Sequence, residues 1–221
     1  MFIGHYSAAF AAKAAAPQLP LWLLFVAVQA VDIGWAVLVL LDVEKLRIVP
    51  GITASSPLDL YYMPFTHSLP ATLVWAGAAY VLYRWLSSEH GATGAAAGAA
   101  PVVALAVASH WVLDLLVHRP DLPLWDDAAK VGLGLWNYPA VTFVLETSLL
   151  LATVILCRRA IPAARVLFGF CGALVVIQSL VMFGPMPTSA SGVVTTALVL
   201  FIMLAFAAAR VERAAAPATP C

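Results

Sequence analysis

The sequence contains few charged residues. Asp, Glu, Lys and Arg together make up 10% of its 221 residues, whereas hydrophobic residues make up 63%. Its mean hydropathy of +0.97 is far above that of soluble domains. This scarcity of charge excludes an ordinary soluble globular protein. It predicts an all-α, polytopic membrane helix bundle whose first partner is the lipid bilayer.

Two further features that the sequence lacks narrow the function. The 11 basic and 11 acidic residues leave no net charge, so no basic surface favours nucleic acid as a partner. There are only three cysteines. Cys157 and Cys171 fall in apolar segments and Cys221 ends the sequence, which excludes a disulfide framework. The first ten residues lack the basic start of a cleaved signal, so we expect them to belong to the fold.

The hydropathy pattern predicts about six spanning helices and a shorter N-terminal helix. The short helix covers 4–16 and a proline-bounded turn follows at 17–20. The spanning helices are expected at 21–42, 70–86, 101–118, 139–157, 164–183 and 191–209. We treat 1–213 as a single transmembrane domain and 214–221 as a disordered tail. The last two helices have no charge in their interiors and are expected to be scaffold.

The basic residues predict the orientation. Seven of the 11 fall on one side of the predicted helices, which we expect to be cytoplasmic. These seven residues are Lys13, Arg84, Arg158, Arg159, Arg165, Arg210 and Arg213. The polar loops 43–63 and 119–137 then lie outside, and the protein is predicted to be a multi-pass protein of the inner (plasma) membrane.

The most informative stretch is 109–121, where ionisable residues interrupt an apolar segment. His110, Asp114 and His118 follow one another at four-residue steps, so a helix places them on one face. In lipid such groups cost several kcal/mol each unless they pair, bind a metal or line a wet cavity. This face is therefore the first candidate for a functional site.

Other predicted helices contribute polar residues at a similar depth. The turn at 17–20 makes a hairpin in which His5 and Asp32 lie at about equal distances from the turn, and His67 precedes the next helix. Imidazole and carboxylate groups are the ligands of zinc and related ions. We therefore predict a divalent metal site, with zinc as the ion, formed by His5, Asp32, His67, His110 and Asp114.

Three further residues are candidates for catalysis. Glu146 lies within an apolar helix, where it could act as a general base or as a partner of a metal ligand. Ser68 follows His67 and is also placed to cap the next helix. His118 borders the outer loop, so a solvated helix end together with Asp121 is an equal alternative. Loop acids are expected to be solvated rather than ligands: Asp42, Glu44, Asp126 and Asp127.

These motifs resemble those of a family. Gly4-His5, an early Asp32, Phe65-Thr66-His67-Ser68-Leu69 and Ser109-His110-x3-Asp114 are similar to the motifs of the bacterial inner-membrane, metal-dependent hydrolases of the YdjM type. The resemblance covers about the first 120 residues. Val31-Asp32-Ile33-Gly34 stands where the family tends to show Pro-Asp-x-Asp, and the missing second Asp argues against a two-metal site.

The leading prediction is a membrane-embedded, metal-dependent hydrolase. It would act on an ester or phosphoester of a lipid-like or small-molecule substrate near the outer leaflet. One alternative is a proton- or ion-coupled transporter, because intramembrane Asp, Glu and His also form proton relays. The sequence has no internal repeat, however, and its inner half has few ionisable groups. The other alternative is a non-catalytic membrane scaffold.

Overall fold

The computed structural model describes residues 1–89 and 97–215. It contains eight α-helices and four short strands in this part of the chain. The helices are α1 (Ile3–Ala15), α2 (Leu21–Val28), α3 (Ala30–Leu40), α4 (Leu69–Glu89), α5 (Ala100–Val117), α6 (Pro139–Cys157), α7 (Ala164–Phe183) and α8 (Ala190–Ala215). The strands are β1 (Lys45–Ile48), β2 (Leu58–Tyr62), β3 (Leu122–Trp125) and β4 (Ala128–Val131). Residues 216–221, which are most of the predicted tail and include Cys221, lie outside the described residues, as does His90 between α4 and α5.

Four of the described helices are long and apolar enough to cross a membrane, and they are α5, α6, α7 and α8. The count rises to five if α2 and α3 together form one bent span. Helix α4 is 21 residues long but is less apolar, so it is not among these candidates. The predicted membrane character thus has structural support, whereas the predicted number of about six spans is not confirmed.

The predicted helix at 21–42 is interrupted at Gln29. Helices α2 and α3 meet there at an angle of 52°. A helix end leaves its last carbonyls without partners inside the helix, and such groups must be satisfied elsewhere when buried. The carbonyl of Val28 receives a hydrogen bond from His110 on α5. The break therefore connects the hairpin directly to the polar face of α5.

Both polar loops contain a two-stranded antiparallel sheet, which corrects the prediction of an all-α fold. Strand β1 pairs with β2, and β3 pairs with β4. The turn between β3 and β4 consists of two residues, and Asp126 there has a φ of 50°. Asp tolerates this left-handed conformation better than most residues, which suits it to a tight hairpin turn. Strands of only four or five residues contain too few alternating polar and apolar positions to be predicted from the sequence.

Helix α1 lies at the centre of the helix bundle. With 13 residues it is too short to span a bilayer, but its large apolar side chains, those of Ile3, Tyr6 and Phe10, are completely buried. Tyr6 and Phe10 both contact Phe25 of α2, at ring-centroid distances of 4.5 and 5.5 Å. This packing fixes the depth and rotation of α1, and hence the position of His5.

Lys13 connects the C-terminal end of α1 to the following turn and to α8. Its ammonium group donates hydrogen bonds to the carbonyls of Pro17 and Leu19, at 2.6 and 2.7 Å, and to the carboxylate of Glu212 on α8. The second oxygen of Glu212 accepts a hydrogen bond of 2.9 Å from the backbone of Leu21. The predicted turn between α1 and α2 is therefore held to the end of the last helix.

Candidate metal centre

Four histidine side chains surround the carboxylate of Asp114. The Nε2 atoms of His67, His110 and His118 lie 3.6, 3.1 and 3.6 Å from Asp114 Oδ2. His5 Nε2 lies 3.1 Å from the other oxygen, Oδ1, and the amino group of Met1 lies 2.6 Å from the same oxygen. Asp114 is buried, so its charge is shielded from solvent by these groups. The four histidines come from α1, α5 and the residues that adjoin α4 and α5.

His110 is oriented by the break between α2 and α3. Its Nδ1 lies 2.9 Å from the carbonyl oxygen of Val28, which can only accept a hydrogen bond. Nδ1 must therefore carry the proton. In the neutral ring, Nε2 then presents a lone pair to the two nearest carboxylates, those of Asp114 and Asp32.

His67 is oriented through Thr66 and Glu44. The Thr66 hydroxyl donates to Glu44 Oε2 at 2.6 Å and accepts from His67 Nδ1 at 2.8 Å. Glu44 also accepts backbone hydrogen bonds from Phe65 and Thr66. Burial raises the pKa of the Glu44 carboxyl, and the hydrogen bond from Thr66 opposes this effect. The prediction that Glu44 is solvated is wrong, because it is only 1% exposed.

His118 is oriented by Asp121, three residues further along the chain. Its Nδ1 donates to Asp121 Oδ1 at 2.9 Å, and Arg119 Nε lies 3.2 Å from the second carboxylate oxygen. Arg119 also binds Asp59 on β2, which in turn binds Arg47 on β1. His118 and Asp121 are both buried, so the alternative of a solvated helix end is wrong.

The predicted hairpin brings His5 and Asp32 to the same cluster. The ring of His5 stacks on that of His110 at 3.9 Å, and the planes are nearly parallel at 5°. Asp32 Oδ1 lies 3.3 Å from His67 Nε2 and 3.5 Å from His110 Nε2. The five predicted metal ligands therefore lie together, although they come from four separate parts of the chain.

The ligand atoms are close enough to share a cation. There are two groups of three residues in which one ligand atom from each residue lies within 4.8 Å of the other two. The first group is His5, His110 and Asp114, and the second is Asp32, His67 and His110. Within the described residues, both nitrogens of His5 and the Nε2 of His110 have no partner in hydrogen-bond geometry. Buried nitrogens of this kind are costly to leave unpaired, and a metal ion would satisfy one nitrogen of each ring.

Two of the candidate catalytic residues also have structural contacts. Glu146 Oε2 accepts hydrogen bonds of 3.0 Å from the backbone nitrogens of Phe2 and Gly4, at the N-terminus of α1. The carboxylate thereby holds the helix that carries His5. Ser68 accepts from the backbone of Ala71 at 3.2 Å and so caps α4, which confirms the predicted cap. Catalytic roles for Glu146, Ser68 and His118 remain predictions.

A cavity of about 540 Å³ adjoins the cluster. Asp32, His67, Asp114 and His118 form part of its wall, and Glu146 also lines it. Most of the remaining wall is apolar and comes from α7, α8 and the segment between them. His5 and His110 are completely buried and do not line this space. A molecule in the cavity would thus meet the cluster from the side of Asp32, His67 and His118.

The glycines of the second loop hold the backbone around His118. Gly134 has a φ of 73°, a conformation that favours glycine, and its N–H donates to the carbonyl of His118 at 2.7 Å. A side chain at Gly132 would clash with the carbonyl of Arg119, because a Cβ there would lie 2.2 Å from that oxygen. These two glycines allow the loop to approach His118 closely.

Comparison of the chain with protein-family models, with curated proteins and with solved structures gives no match.

Proposed function

We propose that this protein is a membrane-embedded, metal-dependent hydrolase that acts on an ester or phosphoester of a lipid-like substrate. The observation that supports the proposal is the shared orientation of three histidines. His67, His110 and His118 each donate Nδ1–H to a fixed acceptor, and each directs Nε2 at Asp114. Metal-binding histidines are oriented in this way by their second nitrogen.

The residues present fit a divalent ion such as zinc. Imidazole nitrogen and carboxylate oxygen are suitable donors, and the two sets of three described above each supply both types. A bound ion of this kind lowers the pKa of a coordinated water to about 7, which makes a nucleophile at neutral pH. His5, Asp32, His67, His110 and Asp114 are the proposed ligands, and the resemblance to the YdjM type agrees with this set.

The side chains around the proposed position of the ion have distinct roles. Asp32, His67 and His118 line the cavity, so they would lie between the ion and a substrate bound there. Glu146 lines the same cavity and is the candidate to accept a proton. The apolar remainder of the wall would exclude water from the reacting ester, apart from the water that is consumed.

The site is proposed to face the outer leaflet of a bacterial inner membrane, as the count of basic residues predicts. The two β-hairpins would then cover the site from the outside. Cysteine labelling of intact cells should reach exposed positions such as Trp125, which is 70% exposed on β3, when it is replaced by cysteine. Labelling only after the membrane is permeabilised would reverse this orientation.

Metal analysis of the purified protein tests the function. We expect about one bound divalent ion per chain and a lower melting temperature in the presence of chelator. Asp114→Asn keeps the volume of the side chain but removes its charge, and should lower metal affinity by at least 10- to 100-fold. Its melting temperature should then be insensitive to chelator.

The matched control is Asp42→Asn, at an exposed loop position with a φ of 57°, which asparagine also tolerates. This variant should keep the metal and the response to chelator. The proposal fails if the wild type binds no metal, or if the wild type and Asp114→Asn both ignore the chelator. Without an ion, the Asp114 carboxylate is paired only with the amino group of Met1 and the neighbouring histidines, and chelator would then have no effect on either protein.

A further inference from the structure

Helices α7 and α8 do more than support the site. The sequence predicts them to be scaffold because their interiors contain no charge, and they are the most apolar candidate spans, with hydropathies of 2.3 and 2.4. Nevertheless, both line the cavity next to the histidine cluster. The space between them therefore forms an apolar arm of that cavity, which we define by Gln178, Leu180, Val181, Ala197, Leu200 and Phe201.

Gln178 is an exceptional residue in this arm. It lies in an apolar helix, is only 1% exposed and forms part of the cavity wall. Its side-chain oxygen has no hydrogen-bond partner among residues 1–89 and 97–215. The neighbouring Ser179, in contrast, donates its hydroxyl to the carbonyl of Val175 at 2.9 Å. An unpaired amide oxygen in a cavity wall is available to a ligand that supplies a donor.

The arm is open at the surface of the helices. Leu180 and Val181 line the cavity and yet are 65% and 55% exposed, near the end of α7. Phe201 on α8 also lines the arm and is only 7% exposed, so it forms an inner wall. Because α7 and α8 are candidate spans, an opening between them near their connection faces the hydrocarbon region or its edge. A hydrocarbon chain can enter there without crossing water.

We propose that the apolar arm between α7 and α8 binds the single hydrocarbon chain of a lipid, and that Gln178 accepts a hydrogen bond from a hydroxyl group next to the bond that is cleaved. The inference rests on the proposed function for the reaction itself. A volume of about 540 Å³ lies within the range of small-molecule sites, about 300–1,000 Å³, which suits one chain and a small head group. The substrate class is therefore a single-chain lipid ester or phosphoester that carries a free hydroxyl.

The role of Gln178 is tested with two synthetic probes that differ in one group. The first is a 1-O-alkyl-glycerol 3-phosphate, which has a free hydroxyl, and the second is its 2-deoxy analogue. The full-length protein in detergent should bind the first probe about five- to tenfold more tightly, because of one additional hydrogen bond. Gln178→Leu should remove this preference, whereas the matched control Ser179→Ala should retain it. Equal binding of both probes by the wild type, or a preference that survives in Gln178→Leu, would overturn the assignment.

The chain-binding arm is tested by filling it. Ala197→Phe adds a large side chain at the cavity wall and should weaken binding of both probes by about tenfold or more, with the preference for the hydroxyl retained. Val199→Phe is the control, since Val199 is 52% exposed on the same helix and does not line the cavity. Unchanged binding in Ala197→Phe, or an equal loss in both variants, would contradict the proposed arm.

The same measurements separate this inference from the hydrolase proposal. Metal content is measured on every variant, and the substitutions on α7 and α8 should leave it unchanged because neither helix supplies a proposed ligand. Binding of both probes is also measured in the presence of chelator. A wild type that discriminates between the probes but binds no metal would support the lipid site and remove the hydrolase. A wild type that binds metal but does not discriminate between the probes would keep the hydrolase proposal and remove the lipid site.

Discussion

The two ends of α1 each contain a buried polar cluster, and the clusters differ in how completely they are hydrogen-bonded. At one end all three hydrogen-bond donors of Lys13 have acceptors, and both oxygens of Glu212 are used. At the other end the Nε2 atoms of His5 and His110 lie 3.1 Å from Asp114 but have no partner in hydrogen-bond geometry within the described part of the chain. The cluster at Lys13 needs no further group and is a structural contact, whereas the cluster at His5 has room for a further bonded group. The number of polar atoms without hydrogen-bond partners, rather than burial or charge alone, identifies the candidate site.

The largest expected effect is on the complete cluster. Lys13→Met should lower the free energy of unfolding by about 3 kcal/mol, because it removes the cation that pairs with the Glu212 carboxylate and leaves two carbonyls without their side-chain donor. Chemical denaturation in detergent measures this loss. Metal content of the folded fraction should equal that of the wild type.

The double variant Lys13→Met with Glu212→Gln is the control for charge. It should recover part of the lost stability, since no unpaired carboxylate remains. If Lys13→Met were as stable as the wild type, or if it lost metal while folded, the distinction between the two clusters would be lost.

A smaller effect is expected from Thr66, which connects Glu44 to His67. Thr66→Val keeps the shape but removes the hydroxyl, so His67 loses the acceptor that fixes its ring. Metal affinity should fall about tenfold or more, by analogy with other groups that orient a ligand. Thr66→Ser retains the hydroxyl and should bind metal as the wild type does.

Metal affinity is measured by competition with a chromophoric chelator at fixed pH. Equal affinities for Thr66→Val and Thr66→Ser would show that the contact does not orient His67. A loss of stability in Thr66→Ser alone would instead indicate a packing role for the methyl group of this residue, which serine lacks and valine keeps.

The smallest expected effect on stability concerns Glu146, which borders the incomplete cluster and holds the N-terminus of α1. Glu146→Gln keeps one oxygen to accept from Phe2 and Gly4, so the loss should be about 1 kcal/mol. A general base, however, cannot be replaced by an amide, and catalysis should fall by about 10²- to 10⁴-fold. Hydrolysis at a wild-type rate in this variant would assign Glu146 to the helix contact alone.

Much of the candidate site can be predicted from the sequence, because ionisable residues are rare inside apolar segments and therefore stand out there. His110 and Asp114 are four residues apart in an apolar segment, and the structure places them on one buried face with Asp32 and His67 nearby. The groups that orient these side chains are much harder to find. Glu44 and Asp121 lie in polar loops, where a carboxylate is ordinarily solvated, so their burial has no local signal.

The role of α7 and α8 is another feature that the sequence conceals. Their apolar composition predicts helices that are long and apolar enough to span a membrane, as the structure shows, but says nothing about the space between them. A cavity depends on where side chains from two helices fail to meet, and that is a property of packing. Gln178 is the one local indication, since an amide inside so apolar a helix requires a partner or a ligand.

The sequence by itself determined that the chain is mainly helical, apolar enough for a membrane, and interrupted by ionisable residues at helical spacing. Those properties follow from composition and from a period of 3.6 residues, which are local. Tertiary structure alone decided that α2 and α3 bend apart at Gln29, and that the freed carbonyl of Val28 orients His110. The two residues are 82 positions apart, and no local pattern encodes a hydrogen bond between groups that only the folded bundle brings together.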